Sequence, residues 1–299
     1  FLLLVFVFII SSFLDNIAAA MIGGTVAVVV FKGKVHLGYL AGIVAASNAG
    51  GSGSVVGDTT TTLMWIDGVS PLDVLHGYAA AIPALFIFGI PVSIIQDRYH
   101  RIVKDADKIV KIDSVKILIV ALILIGAILT NYFLDFPALG VWIAIVIGSM
   151  IRKTPWDEIP KSVQGTIFLV ALVTCASLMP VDELPPASWQ TAFSLGFVSA
   201  VFDNIPLTKL CLEQGGYDWG ILAYTVGFGG SMIWFGSSAG VALSNMYPQA
   251  KNTINYVKSG WHVAVAYVVG FFVLMATLGW EPHEAHKKEH SKEVPELSD

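Results

Sequence analysis

Long apolar stretches alternate with short polar breaks along the chain as far as about residue 280. A helix needs about 20 apolar residues to cross a bilayer, and fewer where it is interrupted or re-entrant. The uninterrupted stretches are 74–96, 115–133, 138–151, 166–179 and 261–278. Polar pairs or clusters of glycine and serine interrupt the others, which are 1–31, 37–66, 189–212 and 219–246. This pattern predicts an all-α polytopic membrane protein.

Composition excludes most classes of soluble protein. The 299 residues are 55% hydrophobic and 13% charged, whereas about 25% are charged in a typical soluble domain. A disordered chain, a coiled coil and almost any soluble enzyme are thereby excluded. The net charge of −5 gives no basic footprint for nucleic acid, so membrane lipid is the expected surrounding. Because the chain begins inside an apolar run without an initiator methionine, we expect a fragment that lacks upstream segments.

Lysine and arginine are distributed unevenly among the short loops. They occur in 97–116, 152–164, 247–258 and the 32–36 turn, and they are absent from the alternate loops 67–73, 131–137, 179–188 and 213–218. Basic loops face the cytoplasm in most membrane proteins. The loops with and without basic residues lie on opposite sides of the membrane only if two segments are re-entrant hairpins. Segment 1–31 would then enter from the inside and segment 188–212 from the outside.

Two motifs occur twice in the same order. The run Ser-Ser-Phe-Leu-Asp-Asn-Ile at 11–17 matches Ser-Ala-Val-Phe-Asp-Asn-Ile at 199–205. Further along each copy, the glycine–serine segment that begins at Gly50 matches the one that begins at Gly229. Since the two copies have opposite predicted topologies, they indicate an inverted repeat, which is typical of secondary transporters.

The repeats and the loop charges together predict the organisation of the chain. It comprises a first repeat, 1–96, with a re-entrant hairpin (1–31), a broken helix (37–66) and a helix (74–96); a basic cytoplasmic linker, 97–116; a second repeat, 117–280, with helices in 117–179, a re-entrant hairpin (188–212), a broken helix (219–246) and a helix (261–278); and a charged tail, 281–299.

The interruptions are the candidate sites of chemistry. A helix broken within hydrocarbon exposes backbone carbonyls and amides, which is tolerated only where they line a cavity or bind a ligand. Such carbonyls, with carboxylate and hydroxyl oxygens, suit a hard cation such as Na⁺. The side chains that could supply these oxygens are Asp15, Asn16, Asn48, Asp58, Thr59, Thr60, Asp203, Asn204, Ser231, Ser237 and Ser238.

Asp15, Asp58 and Asp203 are the three carboxylates at these interruptions. A charged side chain in mid-membrane costs several kcal/mol and usually marks an ion or proton path. Burial and a neighbouring carboxylate both favour the protonated form, so such a site holds either Na⁺ or a proton, and this competition couples the two fluxes. Asp58 is the best candidate for the exchangeable proton, because it lies at a break beside two threonines. The alternative is that each aspartate only caps a half-helix.

Lys209 and the charged tail have simpler interpretations. Lys209 follows Asp203 by six residues, and it either pairs with a site carboxylate or extends to the outer surface, which we favour. The tail carries His283, His286 and His290 without a recognised metal-binding spacing, and we expect it to be solvated.

Two segments resemble one transporter family. They are SNAGGSGSVVGDTTTTLMW (47–65) and GFGGSMIWFGSSAGVALSNMYP (227–248). With the two Asp-Asn hairpin tips, they resemble the NhaD-type sodium/proton antiporters of the ion-transporter superfamily, which also contains citrate and dicarboxylate carriers. The resemblance covers the chain to about residue 280.

The resemblance implies exchange of Na⁺ or Li⁺ for H⁺ across a bacterial inner membrane or, alternatively, a plastid envelope, with no cofactor beyond the transported ions. It implies that upstream spans supply a scaffold and a homodimer contact. By position, it places the functional residues at Asp15, Asn16, Asn48, Asp58, Thr59, Thr60, Ser199, Asp203, Asn204, Ser237 and Ser238.

Three other functions compete with antiport. A Na⁺-coupled citrate or dicarboxylate carrier of the same fold is disfavoured, because aspartates at both hairpin tips would repel its substrate. Arsenite efflux requires neither carboxylate and stays open on charge alone. An intramembrane aspartyl protease would use Asp58 and Asp203 as its dyad, but the residues before Asp58 do not form Gly-x-Gly-Asp. The sequence therefore predicts a cation transporter and no enzyme.

Overall fold

A computed structural model describes residues 1–102, 113–134, 136–154, 156–180 and 184–283. Within these ranges the regular structure is entirely helical, which confirms the all-α class. The α-helices are α1 (Leu2–Ser11), α2 (Asn16–Val30), α3 (Leu37–Gly51), α4 (Thr59–Ile66), α5 (Pro71–Leu75), α6 (Tyr78–Tyr99), α7 (Ser114–Leu134), α8 (Pro137–Ile151), α9 (Ile159–Ser177), α10 (Trp189–Ser199), α11 (Asn204–Gln214), α12 (Trp219–Gly229), α13 (Ser238–Met246) and α14 (Thr253–Thr277).

The helices fall into two compact units. The first unit comprises Phe1–Lys104 and Val173–Asp299, and the second comprises Asp105–Leu172. In the second unit α7 packs against α8, where Gly140 approaches the Gly126 carbonyl, and most large apolar side chains of both helices are exposed. Of the predicted linker, Lys104, Lys108 and Lys111 lie outside the described residues, as does the predicted tail beyond His283.

Helices α3 and α12 form the centre of the first unit. Every residue of α12 is buried, and so is every residue of α3 after Leu37. Both helices are apolar around their whole circumference apart from a few small polar residues, as expected of a helix enclosed by protein. Around them, α1 and α2 pack on α3, α10 packs on α12, and α14 packs on both α3 and α6. Polar groups on these two helices therefore lie inside the protein.

The two segments predicted as broken helices each form two helices in the structure. Residues 52–58 separate α3 from α4, and residues 230–237 separate α12 from α13. Each second helix begins at a side-chain cap, because Asp58 accepts from the Thr60 amide (2.9 Å) and Ser237 accepts from the Gly240 amide (3.2 Å). The breaks thus contain two capped helix N-termini.

Apolar runs predict the helices well but not their ends. Segment 74–96 corresponds to α6, but the short helix α5 precedes it, capped by Ser70. Helix α14 begins eight residues before the apolar run 261–278, because Asn252 caps it and its first turns are polar. Three helical stretches among the described residues are long and apolar enough to cross a membrane, namely Pro71–Tyr99, Ser114–Leu134 and Thr253–Thr277.

Gly50 shows how closely α1 and α3 approach. A Cβ atom on Gly50 would overlap the Phe8 carbonyl oxygen. We therefore expect Gly50→Ala to destabilise the protein by about 1–3 kcal/mol through overpacking, seen as a lower melting temperature of the detergent-purified protein. The matched control is Gly227→Ala in α12, where a Cβ would make only ordinary contacts. An unchanged melting temperature for Gly50→Ala would contradict this close packing.

Candidate functional site

Asn16, at the start of α2, connects the first hairpin to the first break. Its side-chain amide donates to Asn48 Oδ1 of α3 (3.0 Å) and to Asp58 Oδ2 at the start of α4 (2.8 Å). Asn16 is 3% exposed, Asn48 0% and Asp58 2%. Three polar residues that the sequence separates by up to 42 positions therefore form one buried network.

The network continues into the second half of the chain through Ser231. The Asn48 side-chain amide donates to Ser231 Oγ (3.0 Å), which lies at the second break. The Tyr256 hydroxyl, also buried, donates to the Ser231 carbonyl at 3.5 Å. The two breaks are thus joined by side chains deep within the first unit.

Each of the three aspartates caps a half-helix. Asp15 accepts from the Ile17 amide (3.2 Å), Asp203 accepts from the Ile205 amide (2.9 Å), and Asp58 accepts through Oδ1. Capping occupies one carboxylate oxygen, so at Asp58 the second oxygen, Oδ2, is turned to the Asn16 amide. Helix N-termini stabilise negative charge, so this arrangement also supports an ionised carboxylate.

Two other carboxylates lie close enough to Asp58 to interact with it. The charges of Asp15 and Asp203 both act on Asp58, and the Thr59 side chain interacts with the Asp15 carboxylate. The Thr60 hydroxyl is completely buried and interacts with the Asp58 carboxylate, although no hydrogen bond within normal geometric limits satisfies it among the described residues. A hydroxyl oxygen has two lone pairs, so one in this position can also bind a cation or a water molecule.

The contacts of the first half recur in the second half at matching positions of the sequence repeat. Ser11 Oγ donates to the Ser47 carbonyl, and Ser199 Oγ donates to the Val226 carbonyl (2.7 Å). The approach of Gly50 to the Phe8 carbonyl likewise has a counterpart in that of Gly229 to the Gly196 carbonyl. The Asp15 and Asp203 caps form a further equivalent pair.

The polar side chains do not recur as the backbone contacts do. When the repeats are aligned on the two glycine–serine segments, Asn48 corresponds to Gly227, Asp58 to Ser237 and Thr60 to Ala239. Asn204 is buried in the position equivalent to Asn16. Since these replacements remove an amide, a carboxylate and a hydroxyl, the candidate oxygen ligands are concentrated in the first half of the chain.

The remaining candidates have other neighbours. Ser199 is buried and bonded to a backbone carbonyl, Ser237 and Asp203 cap helices, and Ser238 is the first residue of α13. Lys209 forms an ion pair with Glu213 (3.3 Å), one turn further along α11. Among the described residues, no group of three or more His, Cys, Asp or Glu side chains could hold a metal ion, so a cation at this site would need amide, hydroxyl and carbonyl oxygens beside the carboxylate.

Three polar residues around the site were not predicted. Ser11 bridges α1 to α3, and the Tyr78 and Tyr256 hydroxyls donate to carbonyls beside the two breaks, those of Gly50 (3.1 Å) and Ser231. The pairing of Ser11 with Ser199 in the repeat was a usable signal for the serine. The tyrosines gave none, because each lies in the first turn of its helix, where tyrosine is common at a membrane interface whatever its contacts.

No protein-family model matches the chain, but several individual proteins are similar to it. Sodium/proton antiporter 1 of Arabidopsis thaliana is 25% identical over 80% of this chain and 49% of its own length. The Na⁺/H⁺ antiporter NhaD of Alkalimonas amylolytica is 27% identical over 79% of this chain and 60% of its own length. For NhaD of Vibrio cholerae the values are 25%, 88% and 66%.

The chain therefore spans about half to two thirds of the length of these relatives. Similarity at this level, with three described helices long enough to cross a bilayer, identifies an integral membrane protein. The resemblance predicted from the hairpin tips and the two glycine-rich segments is confirmed, because this chain is similar to the NhaD-type sodium/proton antiporters over about four fifths of its length.

Proposed function

We propose that this chain carries the ion-binding core of a secondary transporter that exchanges Na⁺ or Li⁺ for H⁺. The observation that carries the proposal is the buried network of Asn16, Asn48, Asp58 and Ser231, which joins both breaks around one carboxylate. A hydrated ion cannot reach such a site without losing water, and oxygen ligands replace that water. The similarity to proteins named as Na⁺/H⁺ antiporters supports the same ion pair.

Exchange would follow from competition for Asp58. In one state its carboxylate binds the cation together with the Thr60 hydroxyl and carbonyl oxygens freed at the breaks, and in the other it binds a proton. The Asn16 amide and the Thr60 backbone amide hold the carboxylate in place in both states. Asp15 and Asp203 add negative charge nearby, which attracts a cation and repels an anion. This charge also argues against a citrate or dicarboxylate carrier.

The membrane arrangement belongs to the same proposal. Hairpins α1–α2 and α10–α11 would be re-entrant, entering from the inside and the outside respectively, and the two halves would form an inverted repeat. The recurrence of backbone contacts at matching positions of the two copies supports it, as does the alternation of basic and non-basic loops. The proposed location is a bacterial inner membrane, with a plastid envelope as the alternative, and the proposed assembly is a homodimer.

Transport by the unmodified protein tests this function directly. The full-length parent is expressed in a host without its own antiporters, and proton movement is followed in everted vesicles with an acid-sensitive dye. We expect NaCl or LiCl to release accumulated protons, whereas KCl at the same ionic strength does not. Absence of a response to Na⁺ and Li⁺ between about pH 6.5 and 9, where a buried carboxylate exchanges protons, would refute the proposal, and citrate and arsenite would be tested next.

A further inference from the structure

Gly227 differs from the other glycines around the two breaks. At six of these positions a Cβ atom would lie less than 3.0 Å from a backbone oxygen, so packing alone requires glycine there; they are Gly50, Gly51, Gly57, Gly229, Gly230 and Gly236. At Gly227 the nearest atoms to such a Cβ would be Ser52 Cβ (3.5 Å) and Asp58 Oδ2 (3.8 Å). Packing therefore leaves room for a methyl group at Gly227, on the side of the Asp58 carboxylate.

The presence of glycine at this position needs a reason other than packing. Gly227 lies inside α12, where glycine is less favourable than alanine because it loses more backbone entropy on folding. All of α12 is buried, so this side of the Asp58 carboxylate is enclosed by protein. The missing side chain of Gly227 leaves Asp58 Oδ2 uncovered by α12 at this position.

Two further observations favour a cation as the ligand on this side of Asp58. The Thr60 hydroxyl, two residues from Asp58, is fully buried and interacts with the Asp58 carboxylate, and its oxygen lone pairs have no partner of normal hydrogen-bond geometry among the described residues. The residue equivalent to Gly227 in the first half is Asn48, whose side chain fills its position and bonds to Asn16 and Ser231. Side chains thus pack the Asn48 side of the network, whereas the Gly227 side leaves Asp58 Oδ2 approachable.

We propose that Gly227 keeps open the space in which the dehydrated cation binds Asp58 Oδ2, and that its missing side chain determines which alkali cation fits. This inference rests on the proposed function and adds a selectivity residue to it. A methyl group in this space would hinder Na⁺ more than the smaller Li⁺. Gly227→Ala should therefore change the preference between the two ions without harming the fold, because the same methyl group makes only ordinary contacts with the protein.

The test compares Gly227→Ala with the wild type in the full-length protein. Half-maximal Na⁺ and Li⁺ concentrations are measured in everted vesicles at fixed pH, and melting temperatures are measured in detergent with and without each ion. We expect the half-maximal Na⁺ concentration to rise about tenfold, the Li⁺ value to change by less than about threefold, and the melting temperature without ions to stay equal or rise. Stabilisation by Na⁺ should weaken in parallel, since the stabilisation by a ligand increases with the logarithm of its concentration relative to its dissociation constant.

Each other outcome overturns the proposal. An unchanged ratio of the Na⁺ and Li⁺ values would show that no ion occupies this space. Loss of the folded protein would show that the space is absent. If the wild type exchanges both ions but Gly227→Ala leaves the ratio of the half-maximal Na⁺ and Li⁺ concentrations unchanged, the proposed antiport is supported and the role of Gly227 is refuted. If the wild type exchanges neither ion, both proposals are refuted.

Discussion

Asp58→Asn is expected to abolish Na⁺- and Li⁺-dependent proton movement, with a loss of at least about a hundredfold. Removing one member of a buried charge pair costs about 3–5 kcal/mol, and asparagine can neither release a proton nor supply a full negative charge to the cation. The fold should survive, because the asparagine oxygen can still cap α4 at the Thr60 amide and asparagine is a favourable N-cap residue. Transport in everted vesicles and the melting temperature measure the two properties separately.

The matched control is Asp67→Asn, at the opposite end of α4. Asp67 is the C-cap residue of α4 and is partly exposed. Loss of its charge should therefore leave the transport rate within about twofold of wild type, since substitutions near the surface usually have small effects. Retention of more than about a tenth of the wild-type rate by Asp58→Asn would contradict our proposal. Proton exchange would then have to pass through Asp15 or Asp203.

The same competition fixes the direction of the pH effect. If protons and Na⁺ bind the same carboxylate, as we propose, acidification should raise the Na⁺ concentration that gives half-maximal exchange. The effect should be absent from Asp58→Asn if any residual transport can be measured, because no proton then competes at this position.

The sequence predicted those parts of the fold that the hydrocarbon interior of a membrane requires. In hydrocarbon every backbone polar group must be bonded within the protein, so apolar runs become helices and polar clusters inside them become breaks. Segment 37–66 was predicted to be broken for this reason, and residues 52–58 do interrupt it. The polar start of α14 was missed because hydropathy carries no information on helix outside the apolar run.

The sequence also named the residues of the candidate site but not their bonds. Asn48 and Ser231 were both candidates, but they lie far apart in the chain, and nothing in a pattern of residues pairs them. Gly227 could not be singled out from the sequence, because nothing there distinguishes it from the neighbouring Gly229 and Gly230. Only the distances to neighbouring atoms show that packing requires glycine at 229 and 230 but allows a methyl group at 227. The Lys209–Glu213 pair could have been predicted from its i, i+4 spacing.

A comparison of Asn16→Leu with Asn204→Leu tests whether the first hairpin contributes more to cation binding than the second. The unequal distribution of candidate oxygen ligands between the two halves predicts that it does. The two residues lie at equivalent hairpin tips and are each 3% exposed. Leucine at position 16 removes the amide that orients Asn48 Oδ1 and Asp58 Oδ2, and loss of a group that orients an ion ligand typically lowers affinity by about 10- to 100-fold. We therefore expect the half-maximal Na⁺ concentration to rise between about tenfold and a hundredfold.

The effect of Asn204→Leu should be clearly smaller, for a reason visible in the repeat. The counterparts of the two acceptors that Asn16 serves are Gly227 and Ser237, which lack the amide and the carboxylate. Asn204 therefore has no equivalent pair of oxygens to hold in place at these described positions. Equal losses of Na⁺ affinity in the two variants, measured in the same vesicles at the same pH, would mean that both hairpins contribute ligands equally. The proposed inverted repeat would then be symmetric in function, and the interpretation that the candidate oxygen ligands are concentrated in the first half of the chain would be wrong.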